Sequence, residues 1–83
     1  MDSASRIKVR DFISSSFIKD SGINWDDDTS FFDEGIIDSV GVMELVAFLE
    51  VTFDFRVEDE EISPDNLDSV NKLVAYVQSK LKK

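Results

Sequence analysis

Apolar positions recur at helical spacing in three stretches of the chain, and the longest gap between those stretches has no period at all. In the first, Val9, Phe12, Ile13, Ser16 and Phe17 fall on one stripe, which predicts a helix capped by Ser3 or Ser5 and running to about Lys19. Arg6, Arg10 and Asp11 are expected on its water side. Asp20-Ser21-Gly22 should end it, with Gly22 supplying the left-handed conformation of a helix C-terminus. In the second, Val42, Leu45, Val46, Leu49 and Phe53 stand at i, i+3, i+4, i+7 and i+11, predicting a helix from Asp38 or Ser39 to about Phe53. Val70, Leu73, Val74, Val77 and Leu81 repeat that spacing in the third. There Ser69 is the expected cap, and Lys80, Lys82 and Lys83 suit the negative end of the helix dipole.

From Ile23 to Ile37 neither a helical nor an alternating period survives. A connection this long in a small domain is normally functional or disordered. Trp25, Phe31, Phe32, Ile36 and Ile37 argue against disorder, because they offer apolar surface enough to pin the loop to a core. Asp54-Phe55-Arg56-Val57 reads as a short extended link, Glu58 to Ile62 as one helical turn held by Ile62, and Ser63-Pro64-Asp65-Asn66 as a turn. The expected fold is all-α: a small antiparallel bundle of three main helices plus one short helix, with a long first loop, in a single domain spanning 1–83.

The second helix is too apolar for its setting. Beside its core seam, Val40, Met43 and Ala47 form another, with Phe48 and Val51 besides. A helix apolar nearly all round is usually buried on every side, and 83 residues provide too few other helices to enclose it. Part of this surface is therefore expected to face outward, rimmed by Asp38, Glu44, Glu50 and Asp54, as a recognition patch.

Composition narrows the chemistry. Neither cysteine nor histidine occurs, which removes disulfides, thiolate metal sites and the commonest general base and metal ligand. The net charge of −9 argues against nucleic acid, because phosphate binding needs a positive footprint. Residues 20–71 hold sixteen of the eighteen acids and a single base, Arg56, which points to a surface for basic partners. Asp26-Asp27-Asp28 raises the question of calcium, but a calcium loop starting at Asp26 needs glycine where Phe31 stands and glutamate where Ile37 stands, so no metal is expected. The carboxylates come with no nucleophile–base pair and no phosphate-cradling glycine loop, so the chain does not read as an enzyme. Met1 to Arg6 lacks a signal-peptide layout and no apolar run approaches spanning length, which predicts a soluble, cytoplasmic protein. Size and charge favour a monomer.

One stretch ties these features together. Phe32-Asp33-Glu34-Gly35-Ile36-Ile37-Asp38-Ser39-Val40 resembles the signature of phosphopantetheine-dependent carrier proteins, the acyl and peptidyl carriers. The likeness continues through Glu44-Leu45-Val46 to Phe53-Asp54, the acidic stretch Asp59-Glu60-Glu61 and Val70 to Val77, and so covers most of the chain. It implies a 4'-phosphopantetheine arm from coenzyme A attached to Ser39 by a phosphopantetheinyl transferase, and acyl intermediates held on that arm as thioesters. It implies partner docking by Asp38, Val40, Met43, Glu44 and Ala47, and an acyl-chain pocket lined by Val46, Leu49, Phe53, Val57, Ile62, Leu73 and Val74. The second set is equally what ordinary core packing produces, and Glu58 to Glu61 equally a solvated face.

The same resemblance implies as partners an acyl or aminoacyl ligase, synthase or transferase with a basic docking patch. Asp-Ser-Val occurs twice, at Asp38-Ser39-Val40 and Asp68-Ser69-Val70, and the second copy is expected to be only a helix cap. Fatty-acid carriers usually place an acid two residues after the modified serine, where this chain has Gly41. Together with Arg56, this departure points to a specialised lipid or secondary-metabolite pathway rather than general fatty-acid synthesis. Two alternatives stand beside it: an aminoacyl or peptidyl carrier for a stand-alone adenylating ligase, and an unmodified acidic helical adaptor using the Val40-Met43-Ala47 patch.

Overall fold

The computed structural model describes residues 3–19 and 22–82. In chain order it contains α1 (Ser3–Ile13), a π-helical turn (Ser14–Ile18), α2 (Ser39–Phe53), a 3-10 turn (Asp59–Glu61), the one-turn α3 (Pro64–Leu67) and α4 (Val70–Lys82), with no strand among the described residues. The long loop between the π turn and α2 is as expected. α4 is the common support, packing against α1, α2 and α3. Its seam is fully buried at Val70, Leu73, Val74 and Val77, while Leu81 is exposed. Tyr76, which the spacing does not single out, is buried too.

The first helix differs from its expected form. It is not α-helical to Lys19: after Ile13 it widens into the π turn, in which the Lys19 N–H donates to the Ser14 carbonyl at 2.7 Å. Three consecutive serines stand there, and Ser15 Oγ donates back to the Asp11 carbonyl at 2.6 Å, a contact that competes with the regular ladder. Ser5 lies inside α1 and is buried, so it is not the cap; the Ser3 side chain, Asp20, Ser21, the Lys82 side chain and Lys83 lie outside the described residues. Gly22 has the expected positive φ, at 74°.

Arg6 and Arg10 do not simply face water. Both pair with Asp27 of the long loop, Arg6 also donates to Asn71 Oδ1 at 2.7 Å, and Arg10 lies over the Trp25 ring at 4.5 Å. Asn71 in turn donates its side-chain N–H to Asp28 and its backbone N–H to the Asp27 carbonyl. The acidic triplet therefore clasps α1 and α4. Phe31, Ile36 and Ile37 sit in the core, as the loop's apolar content requires. Ser63 to Asn66, expected as a turn, instead opens α3 with Pro64 at its first position, where a missing N–H costs nothing.

Candidate functional site

α2 begins where the long loop is pinned. Phe31 is fully buried, and its carbonyl accepts from the N–H groups of Ile36 at 2.8 Å and Ile37 at 3.3 Å. Asp38 follows with extended backbone, and its Oδ1 accepts the Gly41 N–H at 2.8 Å. Asp38 is thus the N-cap, and Ser39 is the first residue of the helix. The Ser39 hydroxyl is exposed and has no hydrogen-bond partner among the described residues. It lies beside the unpaired N–H groups and positive dipole end of a fifteen-residue helix.

The second Asp-Ser-Val copy divides the work the other way. Ser69 is buried, and its Oγ accepts the Lys72 N–H at 3.1 Å, as a cap does. The Asp68 carboxylate turns back to the long loop, accepting from Ser30 Oγ at 2.6 Å and from the Phe32 N–H at 2.9 Å. One tripeptide therefore leaves its serine free, and the other consumes it.

Gly41 is buried against the π turn. A Cβ built there would meet Phe17 Cε1 at 2.9 Å and Ile37 Cγ2 at 3.1 Å. A side chain two residues after Ser39 would therefore crowd Phe17 and Ile37, which the sequence pattern alone does not disclose.

A groove of about 340 Å³ opens beside Ser39. Its apolar walls are Phe32, Val42, Ile62, Pro64 and Leu67, and its polar groups belong to Asp38, Ser39 and Ser63. Of the residues the resemblance implies as an acyl pocket, Ile62 is on this wall. Val46, Leu49, Val57, Leu73 and Val74 are closed into the core, and Phe53 is half-buried, edge-on to Phe48 with ring centroids 6.1 Å apart. On the outer side of α2, Val40 is 69% and Met43 60% exposed, and Asp38, Glu44 and Ala47 are exposed with them. Val51 extends that apolar surface at 83% exposure.

Glu61 has a role the sequence did not separate from its acidic neighbours. It is half-buried, accepts from the Glu58 N–H at 3.0 Å, from Lys80 Nζ at 2.9 Å and from the Tyr76 hydroxyl at 2.9 Å. Those donors, the backbone N–H first, hold its carboxyl down at about 2, from an ordinary 4.5. Burial, then the bond to Glu61, pushes the Tyr76 phenol up. The interaction fixes the 3-10 turn to α4, while Glu58, Asp59 and Glu60 remain exposed.

No helix among the described residues is long and apolar enough to cross a membrane. The family described as phosphopantetheine attachment site matches residues 8–77. The chain is also similar to curated D-alanyl carrier proteins of Streptococcus thermophilus, Streptococcus sanguinis and Streptococcus gordonii, at 36% identity over 72 residues, covering 87% of this chain and 89% of each relative. A match across this much of the chain settles its kinship: it belongs to the phosphopantetheine-dependent carrier proteins, which are not enzymes but hold their cargo on a covalently bound 4'-phosphopantetheine arm.

Proposed function

We propose that Ser39 bears the arm and that the cargo is a small amino acid, charged by an adenylating ligase and passed to an acceptor enzyme. The observation that carries the attachment site is the exposed Ser39 hydroxyl at the start of α2, left without a partner because Asp38 provides the cap. In the attachment reaction Ser39 Oγ attacks the pantetheine-side phosphorus of the coenzyme A pyrophosphate. A phosphodiester P–O bond forms, the bond to the adenosine 3',5'-bisphosphate leaving group breaks, and the hydroxyl proton passes to the transferase. The resulting anion lies where helix N–H groups and dipole favour negative charge. The arm, when bound, supplies the thiol that holds the cargo as a thioester.

One observation supports an aminoacyl cargo: the relatives named above are D-alanyl carriers. Val40, Met43 and Ala47, flanked by Asp38 and Glu44, form the face a transferase and a ligase with a basic, partly apolar patch would dock against. We take 1–83 as one monomeric carrier domain working in the cytoplasm, where coenzyme A and ATP-dependent activation are at hand. The test is to offer the arm-bearing protein D-alanine, L-alanine and fatty acids, each with its activating ligase, and weigh the products. Selective loading with a small amino acid is expected. Loading by fatty acids alone would return the protein to the acyl carriers of a specialised lipid or secondary-metabolite pathway.

A further inference from the structure

We propose that Asp68, twenty-nine residues from Ser39 in sequence, is a positioning residue that holds the serine in the geometry a transferase requires. This rests on Ser39 being the modified residue. The Asp68 carboxylate is half-buried and makes two bonds to the long loop, accepting from Ser30 Oγ at 2.6 Å and from the Phe32 N–H at 2.9 Å. Ser30 Oγ at the same time accepts the Asp33 N–H at 3.2 Å. The backbone continues the connection: the Asp68 carbonyl accepts the Phe31 N–H at 2.8 Å, and the Phe31 carbonyl takes Ile36 and Ile37, the two residues that lead into Asp38 and Ser39. Phe32, held through its own N–H, is also a wall of the groove that Ser39 opens onto.

The start of α4 is thereby connected to the start of α2 through a few hydrogen bonds, and the Asp68 side chain is the part that substitution can remove. Without it, the Phe32 N–H and the Ser30 hydroxyl lose their acceptor in a partly buried place, and the segment that leads into Ser39 is left with the Phe31–Asp68 backbone bond to hold it at the start of α4. A misplacement of about 1 Å can lower a group-transfer rate by as much as about a hundredfold. The neighbouring Ser69 provides the control, because its Oγ caps α4 through the Lys72 N–H and makes no hydrogen bond to the loop among the described residues.

The experiment measures the rate of arm attachment from coenzyme A by a promiscuous phosphopantetheinyl transferase, read by intact mass. It compares the native chain with Asp68→Ala, Asp68→Asn, Ser30→Ala, Ser69→Ala and Ser39→Ala, alongside amide exchange at Phe32, Ile36 and Ile37. Asp68→Ala is expected to lower kcat/KM by about tenfold and to speed exchange at those three amides. Asp68→Asn, which keeps an acceptor for Phe32, should restore most of the rate. Ser69→Ala should lose stability and keep the rate. If Asp68→Ala does not fold, Ser30→Ala, which removes the bond to Asp68 together with the one from the Asp33 N–H, is read in its place and should be slowed in the same direction. Equal rates for Asp68→Ala and Ser69→Ala, or a folded Ser30→Ala at the native rate where Asp68→Ala cannot be read, overturn the proposal while leaving Ser39 as the site. An arm gained by Ser39→Ala, or none gained by the native chain, overturns the assignment of Ser39 and this inference with it.

Discussion

Replacing Gly41 by alanine sets two effects of known sign against each other. Helix propensity favours alanine by up to about 1 kcal/mol. The new methyl, however, would stand 2.9 Å from Phe17 Cε1 and 3.1 Å from Ile37 Cγ2, well inside the ~3.5–4.0 Å of ordinary carbon contacts. Ile37 is buried, and Phe17 is half-buried with its ring edge-on to Phe12 at 5.7 Å, so neither side chain moves freely. Overpacking of this kind costs about 1–3 kcal/mol. The balance is a net loss of about 1 kcal/mol, which lowers Tm by about 4–8 °C in a domain of this size. Urea and thermal unfolding of Gly41→Ala, Phe17→Leu and the double variant measure it as a cycle. Without the ring, the methyl has more room at its tightest contact, so Gly41→Ala should be neutral or stabilising in the Phe17→Leu background, with a coupling of about 1 kcal/mol. The reasoning is refuted if Gly41→Ala raises Tm in the native background, or if its effect is the same in both.

Three more outcomes are expected. Because the folded Glu61 carboxyl sits at about 2 against an ordinary 4.5, its contribution is fully present above pH 4.5 and is lost as pH falls from there toward 2. Glu61→Gln should therefore flatten the acid limb of a stability–pH profile, and an unchanged slope would count against the bonds that Glu61 accepts from Glu58, Lys80 and Tyr76. Asp38→Ala and Ser69→Ala should each cost about 1 kcal/mol as lost caps, while Ser39→Ala should fall within about 0.5 kcal/mol of the native chain; urea unfolding of all three would contradict this if Ser39→Ala were as damaging as Ser69→Ala. Asp27→Ala removes the shared acceptor of Arg6 and Arg10, and should destabilise the chain while shifting the emission of Trp25, the only tryptophan, as Arg10 leaves its ring. Unchanged emission would show that the stacking does not depend on the clasp.

The three principal helices were legible because their apolar positions keep one period, and the seams at Leu45, Val46 and Leu49 and at Val70, Leu73, Val74 and Val77 are buried as that period requires. The outward apolar face of α2 was legible as a surplus: more apolar side chains than the remaining helices have surface to cover. Contacts distant in sequence were not. Arg6 and Arg10 read as water-facing because their partner, Asp27, lies in a loop with no period. Glu61 looked like its neighbours because what separates it, Tyr76 and Lys80, is contributed by another helix. The turn at Ser14 to Ile18 carries Phe17, whose ring edge closes the space over Gly41. Only the run of serines before Phe17 hinted at it. The two Asp-Ser-Val copies are the sharpest case. They are identical as a tripeptide, and they differ in which of the two polar side chains caps the helix.

On the function proposed above, the Ser39 hydroxyl is the one that takes the arm. That assignment is tested most directly by intact mass and peptide mapping after incubation with coenzyme A and a promiscuous phosphopantetheinyl transferase, with Ser39→Ala and Ser69→Ala in parallel. The expected result is the gain of a single phosphopantetheine arm, mapped to the peptide containing Ser39, retained in Ser69→Ala and lost in Ser39→Ala. An arm mapped to any other residue, or a gain that survives in Ser39→Ala, would contradict it.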